Sequence, residues 1–208
     1  MQIPKLAVFI SGSGSNLQAI IDSISRNDLN AEITCVISNN PQALGLERAR
    51  KANIASEIID HKLFNKREQF DQEAIRILSN YKVDYIILAG FMRILSKVFI
   101  KEFEGRILNI HPSLLPKYPG LNTHQKVLEN NDKFHGITIH FVDESLDGGP
   151  ICAQERFAVN TYDINKLIEK VHELEHKLYP RIIDLVSSGK IKFENGKVHF
   201  KDEIKKEL

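Results

Sequence analysis

The chain has 208 residues, 42% of them hydrophobic and 26% charged, with a formal charge of +1. That makeup fits one large domain or two closely joined lobes able to bury a core without disulfides or metals. It excludes a global field that would gather nucleic acid, and no apolar run approaches the 18 residues a membrane span needs. The setting expected is therefore cytoplasmic, for a monomer or homodimer acting on small molecules, with neither nucleic acid nor a membrane as partner. Cys35 and Cys152 each sit inside an apolar run far from the other. They read as buried thiols, and no cysteine pair stands at metal-ligand spacing, so no metal is expected.

Leu6 to Ile10 is a continuous apolar run of strand length, suited to a parallel strand buried on both faces. Ser11-Gly-Ser-Gly-Ser-Asn16 follows, and then Leu17, Ile20, Ile21 and Ile24 at helical spacing. Strand, Gly-rich turn and helix form the geometry in which free backbone N–H groups receive an anion. The spacing is neither GxGxxG nor a Walker loop, so a single phosphate monoester suits it better than a dinucleotide or a nucleoside triphosphate. A plain helix N-cap on a flexible turn would read the same way.

Glu32 to Ile37 and Ile54 to Ile59 are the next strands, separated by a helix over Ala43 to Ala52. A helix from Arg67 to Asn80 follows, with Glu68 and Asp71 near its start, where acidic side chains suit the helix dipole. Tyr85 to Ala89 is a buried strand. It leads into Gly90-Phe-Met-Arg-Ile-Leu95, an apolar loop around one Arg that could wall a flat organic ligand or simply pack the core. After a helix from Lys97 to Phe103 comes the strand Ile107-Leu-Asn-Ile-His111, which runs into a Pro-bounded loop. Asn109 and His111 stand at i and i+2 and so share one face of that strand. Placing an amide and an imidazole on a buried strand end carries a desolvation cost that catalysis would justify.

Thr123 to Asn130 reads as a helix. Gly136 to Val142 alternates Ile137, Ile139 and Phe141 against Thr138 and His140, which predicts a half-buried strand. Asp143-Glu-Ser-Leu-Asp-Gly-Gly-Pro150 is a tight acidic loop, and Ile151 to Val159 returns antiparallel. Asp163 to Ser187 is the longest helical region. Pro180 could kink or divide it, and His172, Glu173, Glu175 and His176 cluster on it. His172 and His176 at i and i+4 invite a metal reading, but no third ligand is evident nearby, and a solvated face accounts for them equally. Ile191 to Phe193 and Val198 to Phe200 flank Asn195-Gly196 as a hairpin, and the last charged residues are expected to fray. The βαβ alternation predicts an α/β chain: a Rossmann-like, doubly wound, mostly parallel sheet with an antiparallel extension in its C-terminal half. The expected division is 1–188 for the main domain, with halves at about 1–105 and 106–188, and 189–208 for a hairpin and tail.

Asn109, His111 and Asp147 form the one constellation suited to chemistry. No Ser or Cys nucleophile stands beside the His, so direct acyl transfer between two bound substrates fits better than an acyl-enzyme. An amide N–H and a protonated imidazole can hold a tetrahedral oxyanion. A carboxylate beside the ring favours its charged form and can relay a proton from an attacking amine.

Four segments, Ile10 to Ala19, Leu88 to Leu95, Leu108 to Leu121 and Leu146 to Pro150, resemble in this order the phosphoribosylglycinamide formyltransferase family of folate-dependent purine synthesis. The resemblance runs over roughly residues 6 to 186. It implies transfer of a formyl group from 10-formyltetrahydrofolate, as co-substrate, to the amine of glycinamide ribonucleotide. It further implies that Asn109 and His111 stabilise the oxyanion and supply the acid, with Asp147 as the proton-relay carboxylate. Gly14, Ser15 and Asn16 would hold the ribonucleotide phosphate, and His172 and Glu175 would contact the same substrate, His172 standing where the family often has Gln. Arg67, Met92, Arg93, Ile94 and Leu95 would form the folate site, together with Asn109 and the loop Asp143, Glu144, Ser145, Leu146 and Asp147. The Asn-x-His and Asp-Gly core is shared with formyltetrahydrofolate hydrolase, the alternative reading. The early Ser/Gly loop with no regulatory domain before it argues for the transferase. A methionyl-tRNA formyltransferase would be expected to add a C-terminal RNA-binding domain and a basic surface. A non-catalytic phosphate-binding module would not need the trio.

Overall fold

The computed structural model describes residues 2–204, and the charged tail expected to fray lies at its end, with residues 205–208 outside that range. Strands β1 (Lys5–Ile10), β2 (Glu32–Ser38), β3 (Ser56–Ile58), β4 (Tyr85–Leu88) and β5 (Ile107–His111) run parallel. Strands β6 (Phe134–Phe141) and β7 (Ile151–Ala158) join antiparallel, giving one seven-stranded sheet in the order β3-β2-β1-β4-β5-β6-β7. The fold is the doubly wound, mostly parallel sheet with an antiparallel C-terminal side that the alternation of elements predicts. Its helices are α1 (Ser15–Ser25), α2 (Gly45–Lys51), α3 (Arg67–Leu78), α4 (Lys97–Glu102), α5 (Thr123–Glu129) and α6 (Ile164–Ser187).

The unbroken apolar run of β1 serves two cores at once, because successive side chains point to opposite faces. Leu6, Val8 and Ile10 pack with Leu17 and Ile20 of α1 and Val171 and Ile182 of α6. Ala7 and Phe9 face Phe70 and Ala74 of α3 and Phe99 of α4. There Phe9 meets Phe91 and Phe99 edge to face, at 5.2 and 5.7 Å between ring centres. Helix α6 runs unbroken through Pro180. The Asn195-Gly196 turn has φ of 53° and 74°, as a two-residue hairpin requires, and joins β8 (Ile191–Glu194) to β9 (Lys197–Phe200). Two expectations need correction. Strand β6 is buried on both faces rather than half-buried, because the loop after β5 roofs its polar side. There the Thr138 hydroxyl donates to the Ser113 carbonyl (2.7 Å) and accepts from Leu115 N–H (3.0 Å) and the Gln154 amide (2.8 Å). Asp71 does not serve the α3 dipole from the surface. It is buried and accepts a 2.5 Å hydrogen bond from Ser96 N–H, and burial pushes its carboxyl above the usual range.

After β3 the chain crosses back over β1 to enter the sheet as β4, so strand order reverses between β1 and β4. Sheets of this kind offer a crevice at the carboxyl ends of the strands at that point. The loops there are tied together: Ser11 Oγ accepts from Met92 N–H (2.8 Å) and donates to Asn39 Oδ1 (2.5 Å). Fully buried Tyr179 of α6 fixes the floor, its hydroxyl lying 3.0 Å from the carbonyls of both Leu88 and Leu108 on adjacent strands. Replacing Tyr179 by Phe leaves those carbonyls short of a donor. It is expected to cost about 1–2 kcal/mol, read as a lower urea midpoint at unchanged slope.

Candidate active site

The register of β5 against β6 sets Asn109 opposite His140 and His111 opposite Thr138, so four polar side chains share one face at the sheet's edge of the crevice. His140 Nδ1 lies 2.9 Å from the Phe141 carbonyl, an atom that can only accept, so Nδ1 carries the hydrogen. Burial holds this imidazole below its usual pKa, which keeps it neutral and leaves Nε2 as an acceptor. The Asn109 amide nitrogen, 3.1 Å away, therefore donates to Nε2. Its second hydrogen stays available for another acceptor. His111 is buried, and its Nε2 donates to the Tyr118 carbonyl at 2.8 Å. Its Nδ1 faces Asp147, whose Oδ2 is 3.4 Å away.

Asp147 gets there by adopting φ 52°, the left-handed region, which Asp tolerates better than most residues. Behind it a side chain at Gly149 would strike the Phe141 carbonyl, 2.0 Å from where a Cβ would sit, so the glycine is required for the turn. The carboxylate accepts from Gly120 N–H at 2.7 Å, and its other oxygen lies 3.9 Å from His140 Nε2. Two loops thus close on the end of β5, and the structure brings Asn109, His111 and Asp147 together. His140, whose sequence context marks it only as a strand residue, completes the group. Its signal was its place on the polar side of a strand, but only the β5–β6 register shows which neighbour it serves.

At the Ser/Gly loop, Gly14 holds φ 69° against Gly45, whose Cα would sit 2.5 Å from any added Cβ. Arg48 Nε donates to the Ser13 carbonyl (2.9 Å) and braces the turn. Ser15 opens α1, half-buried, and buried Asn16 donates to Glu175 of α6 across 2.9 Å. Burial raises the Glu175 carboxyl to about 7. His172 stays exposed, its ring stacked on His176 at 5.9 Å, and does not join the Asn16–Glu175 contact.

The predicted folate residues divide by burial. Met92 and Ile94 are 68% and 56% exposed at the crevice, whereas Leu95 and Phe91 are buried in the α3–α4 core. The Arg93 guanidinium lies 4.6 Å over the Phe70 ring, with its Nε buried and unpartnered. Arg67 is near Glu68 at 3.8 Å. In the acidic loop, Glu144 pairs with Lys97 at 2.5 Å, Asp143 holds Ser145, and Leu146 is exposed. Among the described residues no group of three His, Cys, Asp or Glu side chains is placed to hold a metal ion.

A doubly wound sheet with an Asn, His and Asp cluster at the end of its fifth strand is suited to acyl transfer between two bound substrates. Residues 4–183 match the formyl transferase family, and the chain belongs to it. Within that family it falls among the phosphoribosylglycinamide formyltransferases. It is 47% identical over 192 residues to the Escherichia coli (strain K12) protein of that name, covering 92% of this chain and 91% of that one. The solved phosphoribosylglycinamide formyltransferase of Coxiella burnetii, in complex with CHES, superposes with a TM-score of 0.91 at 42% identity, covering 96% of this chain and 94% of that chain. The human trifunctional purine biosynthetic protein adenosine-3 is 44% identical over 196 residues, 93% of this chain, which spans only 19% of that longer protein.

Two outcomes follow from the geometry. Glu175 is protonated more readily folded than unfolded, so its effect on stability is neutral below about pH 4.5 and becomes unfavourable as pH rises to about 7. Glu175→Gln should therefore raise stability by about 2–3 kcal/mol at pH 8 and leave it unchanged at pH 4, measured by urea unfolding at both. His140→Phe removes the acceptor that orients the Asn109 amide. It should lower kcat by about 10²-fold with KM for each substrate nearly unchanged, measured by steady-state kinetics.

Proposed function

We propose that this chain transfers the formyl group of 10-formyltetrahydrofolate to the amine of glycinamide ribonucleotide, giving formylglycinamide ribonucleotide and tetrahydrofolate in purine biosynthesis. The observation that carries the reading is the closure of Asp147 onto His111 beside an Asn109 amide with one uncommitted hydrogen. The amine attacks the formyl carbon and the carbonyl electrons move onto oxygen. The second Asn109 N–H and the protonated His111 steady that oxyanion. Asp147 stabilises the charge on His111 and takes the amine proton, directly or through water. Collapse breaks the bond from carbon to the folate nitrogen, which leaves with the proton that Asp147 received from the amine.

The Ser/Gly loop supports a place for the ribonucleotide phosphate at Gly14, Ser15 and Asn16, where backbone N–H groups open α1. Glu175, drawn to Asn16, is suited to the substrate's ammonium or ribose hydroxyls, and His172, one turn earlier on α6, is assigned to the same substrate. The flat donor is assigned to the other side of the cluster, against Met92, Arg93, Ile94 and Leu95, with Arg67 at the rim and the Asp143 to Asp147 loop around its ring. The exposed apolar side chains of Met92 and Ile94 and the unpartnered Arg93 Nε fit such a ligand. In this reading residues up to about 105 carry the phosphate side, 106–188 the catalytic side, and 189–208 a hairpin and tail. The compartment proposed is the cytoplasm; among the described residues no helix is long and apolar enough to cross a membrane.

The test is a spectrophotometric assay with a 10-formylfolate analogue, run with and without glycinamide ribonucleotide, on the native protein and Asp147→Asn. Turnover should require the ribonucleotide. It should fall by about 10³-fold or more in the variant while ribonucleotide binding by calorimetry is retained. Donor turnover that ignores the ribonucleotide would show a hydrolase instead, and full activity in the variant would sink the relay.

A further inference from the structure

A cavity of about 500 Å³ has none of the residues assigned to the reaction in its lining. It lies between α5, the start of β6 and the loop after β5, and its link to the cluster above is Tyr118, whose carbonyl accepts from His111 Nε2. Its volume is in the range that takes small organic ligands. We propose that it is a second small-molecule site, built for a flat aromatic anion.

Three observations converge there. First, the charge at its rim is unbalanced. Lys117 is neutralised by Asp132 at 2.9 Å, and Asp132 also takes the Tyr118 hydroxyl at 2.9 Å. Lys133 and Arg156 line the same cavity, and neither has an acidic partner among the described residues. Two uncompensated cations around a concave surface favour an anion. Second, the rim offers a ring face. Phe134 is 46% exposed, and the Arg156 guanidinium lies 4.8 Å over it, with its N–H edges free to meet a carboxylate, sulfonate or phosphate. A planar ligand can continue that stack. Third, His135 lies in the wall, with one ring nitrogen unsatisfied and buried beneath the surface. His135 is 1% exposed and its Nδ1 has no partner. Buried nitrogens are rarely left so.

His135 Nε2 lies 3.0 Å from His124 Nδ1, so the two rings share one hydrogen between them. Burial holds both imidazoles down at about 4, so the chain is neutral at working pH and the anion's charge is met by Lys133 and Arg156. The proposal stands on this cavity alone and does not depend on the reaction assigned to the crevice.

The probe is 8-anilinonaphthalene-1-sulfonate, a flat aromatic anion, titrated by fluorescence into the full chain with and without saturating glycinamide ribonucleotide and a folate analogue. Binding should be unaffected by those ligands, should weaken with salt, and should weaken about tenfold or more in Lys133→Gln/Arg156→Gln. Both side chains are exposed, so the variant should melt as the native protein does, and circular dichroism checks it. A second measurement uses the native protein only: the His135 ring nitrogens, followed by ¹⁵N chemical shift, should shift as the dye is added, because the ring lines the cavity. No binding, displacement of the dye by the crevice ligands, an unchanged affinity in a folded double variant, or His135 shifts that ignore the dye would each overturn the proposal.

Discussion

The site depends on one carboxylate reaching across from a loop that its own strand does not aim at β5. Asp147 belongs to the connection after β6, yet it bonds Gly120 in the connection after β5 and faces both His111 and His140. Remove that contact and the two loops lose their common point. The reach has a conformational cost, a left-handed residue that is not glycine, of order 1 kcal/mol. Gly149 makes it possible by letting the turn press against the Phe141 carbonyl. Strain and glycine lie within three residues of each other and serve the same displacement.

Around that carboxylate the protein separates two histidines by their hydrogen bonds. His140 is committed through Nδ1 to a backbone carbonyl and is kept neutral by burial, so it works as an acceptor for Asn109. His111 is committed through Nε2 to Tyr118 and turns Nδ1 toward the nearer Asp147 oxygen, at 3.4 Å against 3.9 Å for His140. The two rings thus present different faces to the site, an acceptor nitrogen at His140 and the Nδ1 that faces the carboxylate at His111. The polar roof over β6, from Ser113 to Thr138 to Gln154, satisfies the groups that this arrangement buries.

Much of the fold could be read from the chain, because β1, β2, β4 and β5 carry continuous apolar runs and the helices between them carry clear stripes. The element boundaries fall within about two residues of those expected. Asn109 and His111 were readable as a same-face pair, since strand periodicity is local. Three features were not. The burial of β6 on both faces comes from a loop folded over it, and alternation cannot report a roof. Asp71 looked like a dipole residue because its partner, Ser96 N–H, is 25 positions away. His140 was invisible as a partner of Asn109 because antiparallel register is set by long-range pairing. Asp147 could be joined to that pair by its chemistry, but its reach to His111 depends on a loop conformation that spacing does not encode.

Glu175 shows why such a site is not a by-product of stable folding. A buried carboxylate with one amide donor would be more stable as an amide, and its pKa near 7 records that penalty. Beside it on α6, Val171, Leu178, Tyr179 and Ile182 fill the core. A helix that packs this well can carry one unfavourable charge without unfolding, and it holds that charge rigidly beside the opening of α1. The position therefore trades stability for a carboxylate that becomes charged close to neutral pH. A core selected for stability alone would not retain it.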